Sequence, residues 1–300
     1  MSLSGSNSRL KEYRSRIRSI LLDVHSALCI SEKDWLEVLE LKQRDYRNIL
    51  SGRKDLPTLN LYCLTERLNL SPEAFQTGRI DYRAIQAHWK GYTDYLSPRY
   101  TVGAFSKRHT VLNTLNFLEV TRGREWRQLV NRTFQTNEVL WEKIDQPINI
   151  LFLTDMWGFL AKQGFSATDF LAIGRNSFST HQNTHIGKTM GERKNCKDIF
   201  EFTFNSFMPQ FEQNCFYKII KLSHDICIID GWTSTHLSDA LKVKHAGNTY
   251  SCMVKTGVIS SITCFIKRPH ARVTETQCVH RGDDKCRFEV EFPTSRVRQL

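Results

Sequence analysis

Residues 275–292 read ETQCVHRGDDKCRFEVEF. The last seven of these residues alternate between apolar and polar side chains, a period of two that is typical of a strand with one buried face. Gly282-Asp283 is a turn signal that lies between Cys278 and Cys286. The pattern therefore predicts a β-hairpin that brings the two cysteines to adjacent strand ends.

These two cysteines belong to a larger set of potential metal ligands that also includes Cys252 and Glu275. Three thiolates and one carboxylate supply the four ligands of a tetrahedral Zn2+ ion, and four protein ligands leave no open position for a substrate. The set therefore predicts a structural zinc site and not a catalytic one. A second interpretation stays open, because buried cysteines on a hairpin are common apolar fillers of a protein core.

The rest of the C-terminal half alternates between predicted strands and helices. Strands are expected at Phe216–Ile220, Ile226–Ile229 and Ile262–Lys267, in addition to Cys286–Phe292. The pattern from Thr101 to about Ile173 is helical. We therefore predict an α+β domain at residues 111–292, followed by a short tail at residues 293–300.

The N-terminal third contains only helical patterns. Ser31 is a good N-cap before an acidic first turn, and the apolar residues between positions 35 and 39 supply the buried side of a short helix. A tight turn at residues 40–42 leads to a second helix at residues 43–50, which Gly52 can end in the left-handed conformation. A further helix is expected at Leu59–Leu68.

Together these patterns predict a multi-domain protein, with an all-α N-terminal domain that contains a helix-turn-helix and an α+β C-terminal domain, for which a sensor role is implied only by the resemblance described below. The boundaries expected for the first part are a flexible N-terminus at residues 1–15, the helix-turn-helix domain at residues 16–80 and a linker at residues 81–110.

Residues 16–78 resemble the lambda-repressor/Cro-type helix-turn-helix family. The spacing from Leu39 to Gly52 is that of the family, whereas Glu40 stands where the family often has glycine. The resemblance implies that the second helix of the pair lies in the major groove of DNA. We expect base edges to be read by Gln43 and Arg44, followed by Arg47. We expect phosphates to be contacted by Lys42, Asn48, Arg53 and Lys54. A solvated charged helix in a protein-interaction domain is the other interpretation.

Residues 225–292 resemble the 4-vinyl-reductase-type sensor domain of bacterial regulators that detect phenol and other aromatic compounds. The family pattern is a Cys, a Gly five positions later, a Glu, a Cys three positions after it, a Gly-Asp turn, and a Cys followed by Arg and an aromatic residue. This chain has, in the same order, Cys252, Gly257, Glu275, Cys278, Gly282-Asp283, Cys286, Arg287 and Phe288. The resemblance strengthens the expectation of a zinc site.

The same resemblance implies an α+β fold that encloses a small, mostly apolar or aromatic molecule and that is usually dimeric. His224 and Trp232 fall near the pocket residues of the family, with Phe204 and Tyr217 as weaker candidates. A tryptophan can form an apolar wall and a histidine can fix the orientation of a ligand by a hydrogen bond. Ordinary core packing explains Trp232 equally well.

The composition narrows the partners and the location. The formal net charge of +11 makes nucleic acid the first candidate partner and an anionic membrane surface the second. No apolar run is long enough for a membrane span, and the N-terminus lacks the apolar segment of a secretory signal. We therefore expect a cytoplasmic protein whose nine cysteines stay mostly reduced.

Sequence signatures of common enzymes are missing from the chain: it has no GxxxxGK[ST], HExxH or GxSxG pattern. We therefore expect no enzyme but a ligand-responsive transcriptional regulator, with double-stranded DNA and a second copy of the chain as its partners. Two alternatives stay open. One is a haem- or gas-sensing or protein-interaction module that does not bind DNA, and the other is an enzyme of tetrapyrrole or vinyl-group reduction.

Overall fold

The computed structural model describes residues 3–92 and 94–294. The chain divides into two compact units, one comprising Met1–Ser97 and Arg124–Glu142, the other Pro98–Gly123 and Lys143–Leu300. The α+β domain expected at residues 111–292 is thus interrupted by a helical segment that belongs to the first unit. Within the described ranges, no helix combines the length and the apolar character needed to cross a bilayer.

Helices predominate over strands along the chain. The helices are α1 (Leu3–Leu28), α2 (Glu32–Leu39), α3 (Gln43–Leu50), α4 (Thr58–Arg67), α5 (Pro72–Thr77), α6 (Tyr82–Trp89), α7 (Arg108–Arg122), α8 (Arg124–Phe134), α9 (Glu138–Glu142), α10 (Ile150–Lys162), α11 (Ala167–Arg175), α12 (Ser177–His181), α13 (His185–Gly191), α14 (Cys196–Phe202), α15 (Met208–Phe211), α16 (Thr235–Leu241) and α17 (Thr249–Ser261). The strands are β1 (Ser106–Lys107), β2 (Pro147–Ile148), β3 (Cys215–Leu222), β4 (Ile226–Thr233), β5 (Arg272–Gln277) and β6 (Cys286–Glu291).

The first unit is helical, and its helices α2 to α4 lie close to the positions that the sequence predicts. The Ser31 side chain caps α2 by accepting a hydrogen bond from the backbone of Asp34. Inside the unit, the Trp35 indole donates a 3.1 Å hydrogen bond to the Tyr46 hydroxyl, and this buried contact fixes α3 against α2. Because an unpaired buried donor is costly, the bond also specifies how the two helices meet.

The turn between α2 and α3 contains a residue in the left-handed conformation, Glu40, with φ 53°. A side chain is disfavoured in this conformation, which explains why glycine is more usual there. Arg67 offsets the cost, because its guanidinium donates to the carbonyl oxygens of Glu37 and Val38 and forms a 2.6 Å ion pair with Glu40. The departure from the family pattern therefore has a local compensation.

Two boundaries of the first unit differ from the expectation. Residues 3–15, for which the sequence predicts flexibility, form the first turns of α1, because helix formation is cooperative and propagates outward from the apolar part of that segment. The expected linker at residues 81–110 contains α6, which Asp81 caps and which buries Ile85. Of the predicted tail, residues 295–300 lie outside the described part of the chain.

The second unit contains a four-stranded antiparallel sheet in the order β3-β4-β6-β5. Its inner face is apolar, and Ile229, Phe288 and Val290 are buried there. The strand predicted at Ile262–Lys267 is wrong, because residues Ile262–Ile266 form a 3₁₀ turn that continues α17. Their β-branched and aromatic side chains resemble a strand, but burial at the end of a helix overrides that preference. The fourth strand is instead Arg272–Gln277.

Helices α11 and α17 of this unit approach each other through two glycines. A Cβ atom added to Gly257 would overlap the carbonyl oxygen of Leu171 and would lie 2.9 Å from the Cα of Gly174. The backbones of the two helices are therefore in direct contact, and only glycine fits at both positions. This contact explains on physical grounds why a glycine stands five residues after Cys252 in this chain.

We predict that Gly257→Ala destabilises the protein by about 1–3 kcal/mol or more, because the added methyl group overpacks a contact between backbones that cannot move aside easily. Gly158→Ala is the matched control. Gly158 also lies inside a helix, α10, but its added methyl group would approach nothing closer than the Asn248 side chain at 3.9 Å. Chemical denaturation should show the control to be neutral or slightly stabilised; equal losses in both variants would contradict the glycine contact.

Candidate metal centre

The β5–β6 hairpin positions two of the four cluster residues, as the sequence predicts. Gly282 takes the left-handed conformation with φ 101°, which reverses the chain between the two strands. The Asp283 carboxylate then accepts a 2.7 Å hydrogen bond from the backbone N–H of Cys278. Cys278 follows the end of β5 directly and Cys286 begins β6, so both thiols reach the same end of the hairpin.

Helix α17 supplies Cys252 from its N-terminal part. The start of the helix is fixed by a capping box, in which the Asn248 side chain accepts from the backbone of Ser251 and the Ser251 side chain accepts from the backbone of Asn248. Because the cap sets where α17 begins, it also sets the position of Cys252 one residue beyond Ser251.

The four predicted ligands lie together in the folded chain. The Cys252 sulfur is 3.6 Å from the sulfur of Cys278 and 3.7 Å from that of Cys286. One ligand atom from each of these residues and from Glu275 falls within a group whose members are all within 4.8 Å of one another. The sulfur separations are far longer than the disulfide bond length of about 2.05 Å, so these cysteines are free thiols. They are close enough to one another to bind one shared metal ion.

The Glu275 carboxylate adds a second indication of a cation. Its Oε2 atom accepts a 3.1 Å hydrogen bond from Arg281, whereas Oε1 is buried and has no hydrogen-bond partner. A buried acceptor without a partner costs about 1–3 kcal/mol, more when it is charged. A metal ion bound between Oε1 and the three sulfurs would remove that cost.

The protonation of the thiols is coupled through their contacts. A hydrogen bond from Cys252 lowers the pKa of Cys286 to about 7, while the same bond raises the pKa of Cys252. Burial raises the pKa of Cys278. Three thiolates next to a carboxylate would repel one another strongly in a buried place, so full deprotonation of the cluster requires a cation among them.

Residues outside the cluster hold β6 in place. On one face of the sheet, Arg287 forms two hydrogen bonds of 2.6 and 2.8 Å with buried Asp230, and Lys285 forms a third ion pair of 2.6 Å. The hydrogen bond from Arg287 is the main reason that the pKa of Asp230 is lowered. On the other face, Phe288 is completely buried. The three consecutive residues of this motif therefore make three different contacts: Cys286 lies in the cluster, Arg287 pairs with Asp230, and Phe288 packs in the core.

The structure brings only some of the predicted ligand-pocket residues together. Phe204 and Tyr217 are in edge-to-face contact, with ring centroids 5.6 Å apart. Trp232 packs its ring 6.0 Å from that of Phe216, which points to the opposite face of β3 from Tyr217. His224 is exposed in the turn between β3 and β4, at the far end of β4 from Trp232.

A small cavity lies beside the metal centre, between β3, β4 and α17. It has a volume of about 10 Å³, and Tyr217, Trp232 and Cys252 are among the residues that line it. Two further lining residues, Cys215 and Lys255, were not among the predicted site residues, because the sequence shows no basic group beside Cys215. Their Sγ and Nζ atoms are 2.7 Å apart. The sequence contains one indication that Lys255 lies near the cluster. It follows Cys252 by three positions, which places both residues on one face of a helix.

The residues predicted to contact DNA lie on α3 and in the loop that follows it. The Lys54 ammonium forms a 2.9 Å ion pair with Asp45, and the Gln43 amide donates a 3.3 Å hydrogen bond to Glu32. The remaining cations form no ion pair within the described part of the chain. Of the seven predicted residues, six are exposed and one is half-buried: the exposed ones are Lys42, Gln43, Arg44, Arg47, Arg53 and Lys54, and the half-buried one is Asn48.

We predict that Cys278→Ala abolishes metal retention, whereas Cys227→Ala leaves it unchanged. Both thiols are completely buried, but Cys227 lies in β4 outside the cluster, so the pair separates loss of a ligand from loss of core volume. Elemental analysis of the purified proteins should find about one ion per chain in the wild type and in the control. A wild-type protein that is folded and free of metal would overturn the assignment of the cluster as a metal centre.

Comparison with known proteins finds similarity at the level of the fold. No protein-family model and no curated protein matches the chain. An H-NOX protein from S. oneidensis, crystallised in the Fe(II) ligation state, matches with a TM-score of 0.50 and 10% identity; the match covers 65% of this chain and 100% of that one. The Fe(II) unliganded H-NOX protein from K. algicida gives a TM-score of 0.47 with 9% identity, over 65% of this chain and 100% of that one. Over about two thirds of its length, the chain is thus similar in fold to an H-NOX protein.

Proposed function

We propose that the second unit is a small-molecule sensor built around a structural zinc ion, and that the first unit transmits its state by binding double-stranded DNA. The observation that carries the proposal is the group of three thiols and one carboxylate within 4.8 Å of one another. In this proposal the protein acts as a homodimer in the cytoplasm and has no enzymatic activity of its own.

The spacing of the sulfurs supports zinc as the metal. Zn–S bonds are about 2.3 Å long, and a regular tetrahedron with that radius has edges of about 3.8 Å. The observed sulfur separations of 3.6 and 3.7 Å are close to this value. Four protein ligands close the coordination sphere, so the ion would tie α17 to the β5–β6 hairpin and contribute to folding.

The fold supports the sensing part of the proposal. The H-NOX structure from S. oneidensis is described by the ligation state of its iron. It matches 65% of this chain, a larger share than the residues of the first unit make up. The match must therefore include residues of the second unit. The comparisons support ligand sensing better than DNA binding, since none of them bears on nucleic acid.

A ligand of the expected apolar or aromatic kind needs more room than the cavity offers. Pockets for such molecules have volumes of about 300 Å³ or more, whereas about 10 Å³ accommodates one water molecule. Binding would therefore displace side chains, and Tyr217 and Phe204 are the aromatic residues whose mutual contact would have to open. A ligand that binds only the opened form shifts the equilibrium toward it, which is the thermodynamic requirement of a sensor.

Haem-based gas sensing is the second candidate function, and one residue favours it. His181 is partly buried, its Nδ1 atom has no hydrogen-bond partner, and burial lowers its pKa to about 4, so the imidazole stays neutral and able to bind iron. The cluster residues themselves do not fit haem, because three thiols and a carboxylate at this spacing surround a single ion and leave no space for a macrocycle.

Elemental analysis together with an absorbance spectrum of the purified full-length protein separates the two candidates. We expect about one zinc per chain and no Soret band. Iron in place of zinc, accompanied by a Soret band that His181→Ala abolishes, would show that the haem alternative is correct.

DNA binding rests on the charge of α3. Arg44, Arg47 and Lys42 are exposed on or just before this helix, and no carboxylate of the described chain pairs with them. The α3 side chains that face inward, such as Tyr46 and Ile49, are buried in the core of the unit, so the basic face is held toward solvent by packing. A rigid basic helix of this kind suits the major groove.

We predict that Arg44→Ala relaxes sequence preference at one base pair of each half-site, at a cost of about 1–3 kcal/mol. Lys42→Ala should instead weaken binding to all sequences alike and lower the slope of the salt dependence by about one unit, because it removes a phosphate contact. Binding titrations on selected and random duplexes at several salt concentrations measure both effects. Identical behaviour of the two variants would refute the placement of the recognition helix, and failure to select any DNA motif would refute DNA binding.

A further inference from the structure

The contact between Lys255 and Cys215 is unusually close. Their Nζ and Sγ atoms are 2.7 Å apart. That separation is at the short end of the range for N–H···O hydrogen bonds, and sulfur is a larger atom than oxygen. The two atoms therefore lie closer than an ordinary N–H···S hydrogen bond would place them.

The surroundings shield this pair from solvent, and the Tyr217 side chain forms a further hydrogen bond with Cys215. Both residues are only partly exposed, and within the described residues Lys255 forms no ion pair with a carboxylate. Neither residue belongs to the metal-ligand set, which leaves the Cys215 thiol available for chemistry. The cavity of about 10 Å³ lies against both side chains and admits a molecule of roughly the size of water.

We propose that Cys215 and Lys255 form a redox-sensitive covalent crosslink in which one oxygen atom bridges the sulfur and the nitrogen. The oxidant is hydrogen peroxide. This inference rests on the contact between the two residues and is independent of the proposed function.

The reaction balances as Cys–SH + Lys–NH2 + 2 H2O2 → Cys–S–O–NH–Lys + 3 H2O. One S–O and one O–N bond form, while the S–H bond, one N–H bond and the O–O bonds of both peroxides break. Sulfur and nitrogen each lose two electrons, both peroxides are reduced, and the two released protons leave in water. Oxidation of the thiol by the first peroxide to the sulfenic acid level is the ordinary first step for a reactive cysteine.

The geometry favours the oxygen bridge over other products. Two single bonds that meet at an oxygen atom span a distance comparable with the observed 2.7 Å, so the link forms without movement of β3 or α17. A direct S–N bond would require the two atoms to come much closer. Lys255 also promotes the first step, because a neighbouring ammonium group stabilises the thiolate that attacks peroxide, against the burial that raises the pKa of Cys215.

Peptide mapping of the full-length protein tests the proposal. The protein is treated with hydrogen peroxide, quenched, alkylated without reductant and digested. We expect a linked peptide that contains both residues. Its mass should equal the sum of the masses of the two separate peptides, plus one oxygen atom and minus two hydrogen atoms. Trypsin should no longer cleave after Lys255.

Variants make the assignment specific. The linked peptide should disappear to background in Cys215→Ser and in Lys255→Arg, which keeps the positive charge but lacks the primary amine. It should persist in Cys227→Ala, which removes a completely buried thiol of the neighbouring strand. Should Lys255→Arg fail to fold, the wild type and Cys215→Ser still decide the question.

Three results would overturn the proposal. They are no linked peptide in the wild type, a linked peptide whose mass lacks the added oxygen, and oxidation of Cys215 to sulfinic acid without a link. None of these results affects the metal centre or DNA binding, so failure of the crosslink is distinguishable from failure of the proposed function.

Discussion

The structure of the second unit depends on one electrostatic constraint, the crowding of three thiols and a carboxylate into a buried space. The groups come from α17, from the end of β5 and from the start of β6, so the cluster joins a helix to both strands of a hairpin. Such a cluster is stable only if protons or a cation neutralise it. The Oε1 atom of Glu275 favours a cation, since it is a buried acceptor that no hydrogen-bond donor reaches.

The surrounding contacts hold the ligands at this spacing before any ion binds. The backbone contact between Gly174 and Gly257 fixes α17 against α11, and the capping box at Asn248 fixes where α17 starts. Asp283 holds the backbone of Cys278, and Asp230 holds Arg287 beside Cys286. The residues of the pattern that resembles the sensor-domain family thus support one site. They do so through helix packing, turn geometry and ion pairing.

The sequence predicted what depends on neighbours along the chain. The hairpin at residues 275–292 and the helices on either side of Glu40 are set by alternation, turn residues and caps, which a sequence displays directly. The strand expected at Ile262–Lys267 failed because tertiary burial decided its conformation. The contact between Cys215 and Lys255 joins residues 40 positions apart, and only the pairing of β3 with the sheet and the packing of α17 bring them together.

Charge balance links the metal centre to the Lys255 side chain. If Zn2+ binds as proposed, three thiolates and one carboxylate would leave two excess negative charges on the centre. Two cations lie where they can offset these charges: Arg281 is 3.1 Å from Glu275, and Lys255 interacts electrostatically with Cys252. A neutral crosslink at Lys255 would remove one of the two, so oxidation at Cys215 would leave the centre with an uncompensated charge in a place of low dielectric constant. If both form, the crosslink would therefore influence the metal centre through electrostatics, although neither needs the other to form and they share no ligand.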